Sequence, residues 1–216
     1  MIDEKKIIKE LEKKSFTNID QKNQYKECLE HLIKNVFLSE GKVLLSSLNQ
    51  GDEFESAFGR MIILEQYEDK TLVITKDYIG EQMQFSNIST DFNTSIIKEF
   101  LLEKILPMFK IAFGEENIVE ETTILESVHD KIIYGSYTGK IRLITYDEAT
   151  KYKKILKGKL TGNYWAMTSF SSPGTDIYVS VGKSNGKFSV GAHVYDKNEY
   201  VRPVICLKND IFVQRI

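Results

Sequence analysis

The side chains of this sequence that are able to do chemistry are few and scattered. Its three histidines, His31, His129 and His193, fall in three different elements, and none has the H-x-x-x-H or H-x-H spacing that brings two imidazoles onto one zinc ion. The two cysteines, Cys28 and Cys206, belong to no CxxC or Cys/His pair, so neither a disulfide framework nor a metal knuckle is expected. Gly182-Lys183-Ser184 is a fragment of a phosphate-binding loop, without the earlier glycine and the following helix that such a loop needs. The adjacent carboxylates Glu115-Glu116 and Glu120-Glu121 read as solvated loop charge, and no nucleophile elbow is present. No catalytic residue, metal ligand or cofactor is therefore assigned.

Two further residues carry both a functional and a structural reading. Arg202 sits inside the apolar run Tyr200-Val-Arg-Pro-Val-Ile-Cys-Leu, where it must reach solvent or find a buried partner. It is either an anion-binding group or a structural arginine bonded to carbonyls or a carboxylate, with Pro203 marking an edge strand. The structural reading is preferred, and Trp165, the only tryptophan, reads as a core anchor.

The elements that must position these groups change character along the chain. Ile7, Ile8 and Leu11, then Tyr25, Cys28, Leu29, Leu32, Ile33 and Val36, recur at helical spacing on either side of a Ser-Phe-Thr-Asn break. Residues 1–41 thus read as a helical hairpin ending at Gly41. Beyond Lys42 the pattern turns to strands. Met61 to Gln66 and Thr71 to Thr75 form a hairpin across Tyr67–Lys70, and a polar stretch over 80–93 leads to a helix bearing Ile96, Ile97, Phe100, Leu101 and Ile105. Pro107 ends or kinks that helix, and a second helical turn, Met108 to Phe113, stops at Gly114. Residues 140–146 read as a strand, with Asp147 as N-cap of a short helix. Ile177 to Val181 and Phe188 to Val194 alternate apolar and polar residues around Asn185-Gly186, a tight-hairpin signal, and a strand from Tyr200 to Lys208 closes the chain.

Composition narrows the class. Over 216 residues, 42% are hydrophobic and 28% charged, which is globular rather than disordered. A net charge of −2 gives no drive toward nucleic acid or an anionic membrane. The charge is uneven, with 11 Lys/Arg against 4 Asp/Glu over residues 151–216 and 6 against 17 over 45–130, but the basic residues form no cluster. No run approaches the roughly 18–20 apolar residues of a membrane span, and the N-terminus has no signal-peptide core. A protein made in the cytoplasm without a signal peptide, with no membrane insertion and with reduced thiols, is expected.

Trp165-Ala-Met-Thr-Ser, then Ile177 to Gly182, then Tyr200-Val-Arg-Pro-Val-Ile-Cys-Leu resemble, in order and spacing, a bacterial and phage domain family of unknown function. That family shows a Trp-Leu-Arg-Ser-Pro-like segment and a closing Gly-Val-Arg-Pro-Ala-like one. Thr71 to Lys76 looks like its "ALLIS" strand, residues 94–105 like its "WLN" helix, and Ile141 to Tyr152 like its "LLSxDEAxKY" segment, so the likeness spans about residues 42–212. The family is similar to C-type-lectin-like and formylglycine-generating-enzyme-like folds, and it recurs in Gram-positive surface proteins and phage genes. Tyr200 replaces the family glycine and Ala166-Met167 its Leu-Arg pair. The lectin calcium triplets and the oxidase cysteine pair are absent, so neither calcium-dependent sugar binding nor oxidase activity is implied.

The expected architecture is therefore α+β. It is a C-type-lectin-like mixed domain of short twisted antiparallel sheets and two helices over residues 42–216, preceded by the hairpin of residues 1–41, which attaches or oligomerises the chain. The expected function is a non-catalytic binding module of a phage or prophage particle, associated with tail or baseplate. A cytoplasmic structural or regulatory oligomer and an enzyme of unrecognised type are the alternatives. The partner is a protein or cell-surface glycan, with no nucleic acid, and residues 1–41 offer a homo-oligomer contact. The expected recognition residues are Phe170, Ser171, Ser172, Asp176, Tyr178, His193, Tyr195 and Tyr200, exposed aromatics with adaptable polar neighbours.

Overall fold

The computed structural model describes residues 41–57, 59–157, 160, 162–171, 178–182 and 188–216, with the backbone course alone for 178–182 and 188–191. The helical hairpin expected over residues 1–41 lies, but for Gly41, outside them, as do the turns at Pro173-Gly174 and Asn185-Gly186. Residues Val43–Ile216 form one compact unit of mixed α+β structure, mostly strands.

The first half of this unit is β1 (Lys42–Leu44), β2 (Glu53–Ser56), β3 (Gly59–Gln66) and β4 (Lys70–Thr75), followed by a helical layer. Next come β5 (Ile118–Val119), β6 (Glu121–Glu126), β7 (Ile133–Gly139) and the two-residue β8 (Arg142–Leu143). The later strands are β9 (Asn163–Ser169), β10 (Tyr178–Gly182), β11 (Phe188–His193), β12 (Glu199–Tyr200), β13 (Pro203–Lys208) and β14 (Phe212–Arg215). They build a curled antiparallel sheet of order β1-β14-β2-β3-β4-β13-β5, with β8 also on β13, a four-stranded sheet β11-β10-β9-β12, and the separate hairpin β6-β7.

The hairpin expected around Tyr67–Lys70 is β3–β4, closed by the Tyr67 N–H on Lys70 O at 2.8 Å. With β13 these strands are the middle of the large sheet and are apolar on both faces. Met61, Ile63, Val73, Ile205 and Leu207 point into one core; Ile62, Leu64, Leu72, Ile74, Val204 and Cys206 point into a second. Neighbouring residues of a strand face opposite ways, so such a run is stable only if both faces are covered. The first face is covered by the helical layer, by Phe85 and Phe92 from the strand-free stretch over 80–93, and by Trp165. The second is covered by Ala149 of the helix Tyr146–Lys151 (α3), Leu156 of the helix Lys153–Leu156 (α4) and Tyr152 at the junction between them.

That helical layer consists of α1 (Ile96–Phe100), capped by Ser95, a π turn over Leu101–Ile105, and α2 (Leu106–Phe113). Pro107 therefore does not end the helix. Proline supplies no N–H and crowds the carbonyl four residues back, and the wider turn just before it accommodates both effects. Gly114, at φ 83°, stops the helix with its N–H on Lys110 O, as its position predicts.

The strand expected over 140–146 is only Arg142–Leu143, because Thr145 already serves as helix cap. The cap is Thr145 rather than Asp147: Thr145 Oγ1 accepts the Glu148 N–H at 3.1 Å, and the Glu148 carboxylate accepts the Thr145 N–H at 3.0 Å. This reciprocal pair satisfies two otherwise orphaned donors, which Asp147 does not do from inside the first turn. The last strand, finally, is interrupted at Val201-Arg202, and β14 closes the chain against β2.

Arg202 is structural. It is 1% exposed, its Nε donates to Thr75 O at 2.7 Å, and its guanidinium lies 5.3 Å from the Tyr164 ring centroid. Burial holds its pKa below the ordinary arginine value, against the pull of Tyr164. Pro203 does not mark an edge, since β13 pairs with β4 on one side and with β5 and β8 on the other. It is tolerated as the first residue of an interior strand. Trp165 is fully buried, as expected of a core anchor, with Nε1 on Met83 O at 2.7 Å.

Candidate functional site

The candidate site is built around β9. Its alternation sends Trp165 and Met167 into one core and Tyr164 and Ala166 into the other, so the strand is fixed from both sides. At its C-terminal end the 127–130 turn pairs onto it: the Val128 N–H donates to Ser169 O at 3.1 Å and the His129 N–H to Phe170 O at 2.8 Å. The turn is closed by Ser127, whose hydroxyl bonds Asp130 and accepts the Ile132 N–H at 3.0 Å, and by Lys131 at φ 55°. The Tyr134 hydroxyl accepts the Ser169 N–H at 3.2 Å, and burial raises its pKa to about 12, so it is neutral. The result is a ring pair, His129 and Phe170, with centroids 5.2 Å apart.

The sheet register brings a second ring pair to the same end. Val179 pairs with both Ser169 and Ala192, and Tyr178 pairs with His193. His193 stacks at 5.0 Å on Tyr195, which is 51% exposed, and its N–H donates to Asp196 Oδ2. Of the expected residues, Phe170, Ser171, Tyr178, His193 and Tyr195 thus share one end of the four-stranded sheet. Ser172 and Asp176 lie outside the described residues, and Tyr178 is placed by its backbone. Tyr200 pairs with Tyr164 at the other end, roughly 17 Å away at about 3.3 Å per residue. There it stacks on Tyr78 at 4.3 Å with the rings 2° from parallel, beside Gly162, where a Cβ would meet its ring at 2.6 Å.

Beside the paired turn, between β6 and the start of α3, an open cleft of about 200 Å³ is lined by Ile124, Glu126, Val128, Lys131, Tyr146 and Asp147 among others. Sequence reasoning did not assign these residues. The one legible signal was the Thr145-x-x-Glu148 capping box, which fixes the start of α3. Behind the cleft, buried Arg142 meets Glu148 through two contacts of 2.7 and 2.6 Å. Burial opposes the guanidinium's charge, but Glu148 outweighs it and raises the Arg142 pKa.

A second charged group ties the base of the β6–β7 hairpin to the large sheet. Glu121 accepts the Cys206 thiol at 2.7 Å and pairs with Lys70 at 2.8 Å. Burial pushes the carboxyl pKa up, but the thiol and the ammonium together hold it below the usual range. Burial and the same carboxylate push the Cys206 thiol well up, so it is protonated and unreactive at neutral pH. A carboxylate with a depressed pKa stabilises the fold above its unfolded value, and that stability is lost as pH falls through the folded value. Acid unfolding monitored by circular dichroism is therefore expected to need a lower pH in the wild type than in Lys70→Met.

Among the described residues no group of three or more His, Cys, Asp and Glu is placed to hold a metal ion, and no helix is long and apolar enough to cross a membrane. No protein-family model, curated protein or solved structure matches the chain. The motif residues compared above have architectural contacts: Trp165 in one core, Arg202 against Tyr164 of the other, Tyr152 with its hydroxyl on Glu65 at 2.9 Å, and Glu148 on Arg142.

Proposed function

We propose that the chain is a non-catalytic binding module whose recognition surface is the end of the four-stranded sheet that carries Phe170, Tyr178, His193 and Tyr195. The observation that supports this is that two ring pairs, His129–Phe170 at the end of β9 and His193–Tyr195 at the end of β11, lie by register at one end of the four-stranded sheet, whose strand β9 is anchored in both cores. Rigidly mounted aromatic groups give large contact area at low entropic cost. The motif resemblance supports a C-type-lectin-like topology and a place in a phage or prophage particle, with a protein or host-surface glycan as partner. The test is selection of ligands from a glycan array and a displayed peptide library by the full chain. Ligands lost on changing the two ring pairs support the reading; ligands indifferent to those changes overturn it.

One observation favours the second reading, a structural oligomer. Phe212, 51% exposed, lines an open hollow of about 280 Å³ together with Phe113 and Ile211, and Ile111 of α2 is 86% exposed. A solution mass that grows with concentration supports it.

A further inference from the structure

We infer that the cleft beside β6 receives a lysine or arginine side chain from a protein partner; this rests on the binding-module reading and narrows it to a protein ligand. The cleft, at about 200 Å³, is smaller than the roughly 300–1,000 Å³ of small-molecule sites, which suits one inserted side chain. Its walls differ in chemistry. Ile124, 56% exposed, and Val128 supply an aliphatic surface, Tyr146 an aromatic ring, and Glu126 and Asp147 carboxylates. A long basic side chain matches all three, laying its methylenes on the aliphatic wall and its charge between ring and carboxylate.

Charge bookkeeping favours a cation. Glu148 is committed to Arg142, and Glu126 has Lys131 at 3.9 Å. Asp147 is exposed and makes no ion pair among the described residues. A bare helix start would repel a cation, but the start of α3 is capped by Thr145 and has Asp147 and Glu148 in its first turn. Lys131, which also lines the cleft, is an internal competitor for Glu126.

The experiment is amide NMR of the full chain titrated with blocked Gly-Lys-Gly, Gly-norleucine-Gly and Gly-Glu-Gly. The lysine peptide is expected to give saturable shifts at Ile124, Tyr146 and Asp147 that weaken with added salt, and the other two none. Asp147→Asn should weaken the lysine peptide about two- to fivefold, the range of an exposed ion pair. Lys131→Asn, which asparagine tolerates at positive φ, should tighten it by about the same factor. Opposite signs for two neighbouring surface variants are not produced by a merely structural role. Equal shifts with lysine and norleucine, no response to Asp147→Asn, or shifts confined to Phe170, His193 and Tyr195 would overturn the inference. Failure of the binding-module reading looks different: selected ligands would ignore the ring pairs while the lysine peptide still titrated the cleft.

Discussion

Glu148→Ala is expected to cost about 3–5 kcal/mol, the usual loss when one partner of a buried ion pair is removed. Arg142 is 6% exposed, and both of its terminal nitrogens bond Glu148, so the variant leaves a buried charge with no counter-ion there, held by Leu143 O at 3.1 Å. The same change opens the capping box at Thr145, adding about 1 kcal/mol. Replacing both partners, Arg142→Met with Glu148→Leu, is expected to recover much of the loss, because no charge is then left buried. Urea unfolding of the three chains decides this. A double variant as unstable as Glu148→Ala would show that the pair is worth more than its desolvation cost.

Trp165→Ala is expected to be comparably severe, about 3–5 kcal/mol, because a fully buried indole leaves a cavity that a strand anchored on both faces cannot close. Trp165→Phe keeps much of the volume but leaves Met83 O without its donor, so a smaller loss of about 1–3 kcal/mol is expected. Thermal unfolding orders the three proteins. A Phe variant as stable as wild type would mean that the indole N–H bond contributes nothing, and that the 80–93 stretch is held by Phe85, Phe92 and its backbone bonds to Val194 and Glu199.

Local signals made part of this architecture legible. The β3–β4 hairpin, the helix stop at Gly114 and the paired strands β10 and β11 follow from periodicity and glycine placement, which act over a few residues. The burial of Trp165 follows from its size and apolarity. What was not legible depends on partners far away in sequence. Pro203 looks like an edge residue until β5 and β8 are seen to pair with β13 from more than 50 positions upstream. Helix 96–113 looks broken at Pro107 because a π turn has no sequence signature of its own. For the candidate site, the sequence indicated an aromatic surface near the C-terminus but not its division. Register alone separates Tyr200 from Phe170, His193 and Tyr195. His129 joins Phe170 only because a turn 41 residues upstream pairs onto the end of β9. The cleft lies between segments that share no motif.

The most direct test of the recognition surface is binding of a selected ligand to the wild type and to the combined Phe170→Ala, Tyr178→Ala and Tyr195→Ala variant, with thermal unfolding of each measured alongside. Binding is expected to fall at least a hundredfold, about 2.7 kcal/mol or more, as loss of a hot-spot cluster gives, with little change in melting temperature. Binding unchanged in a folded variant would contradict it, and a large fall in melting temperature would show that these rings belong to the core rather than to a partner.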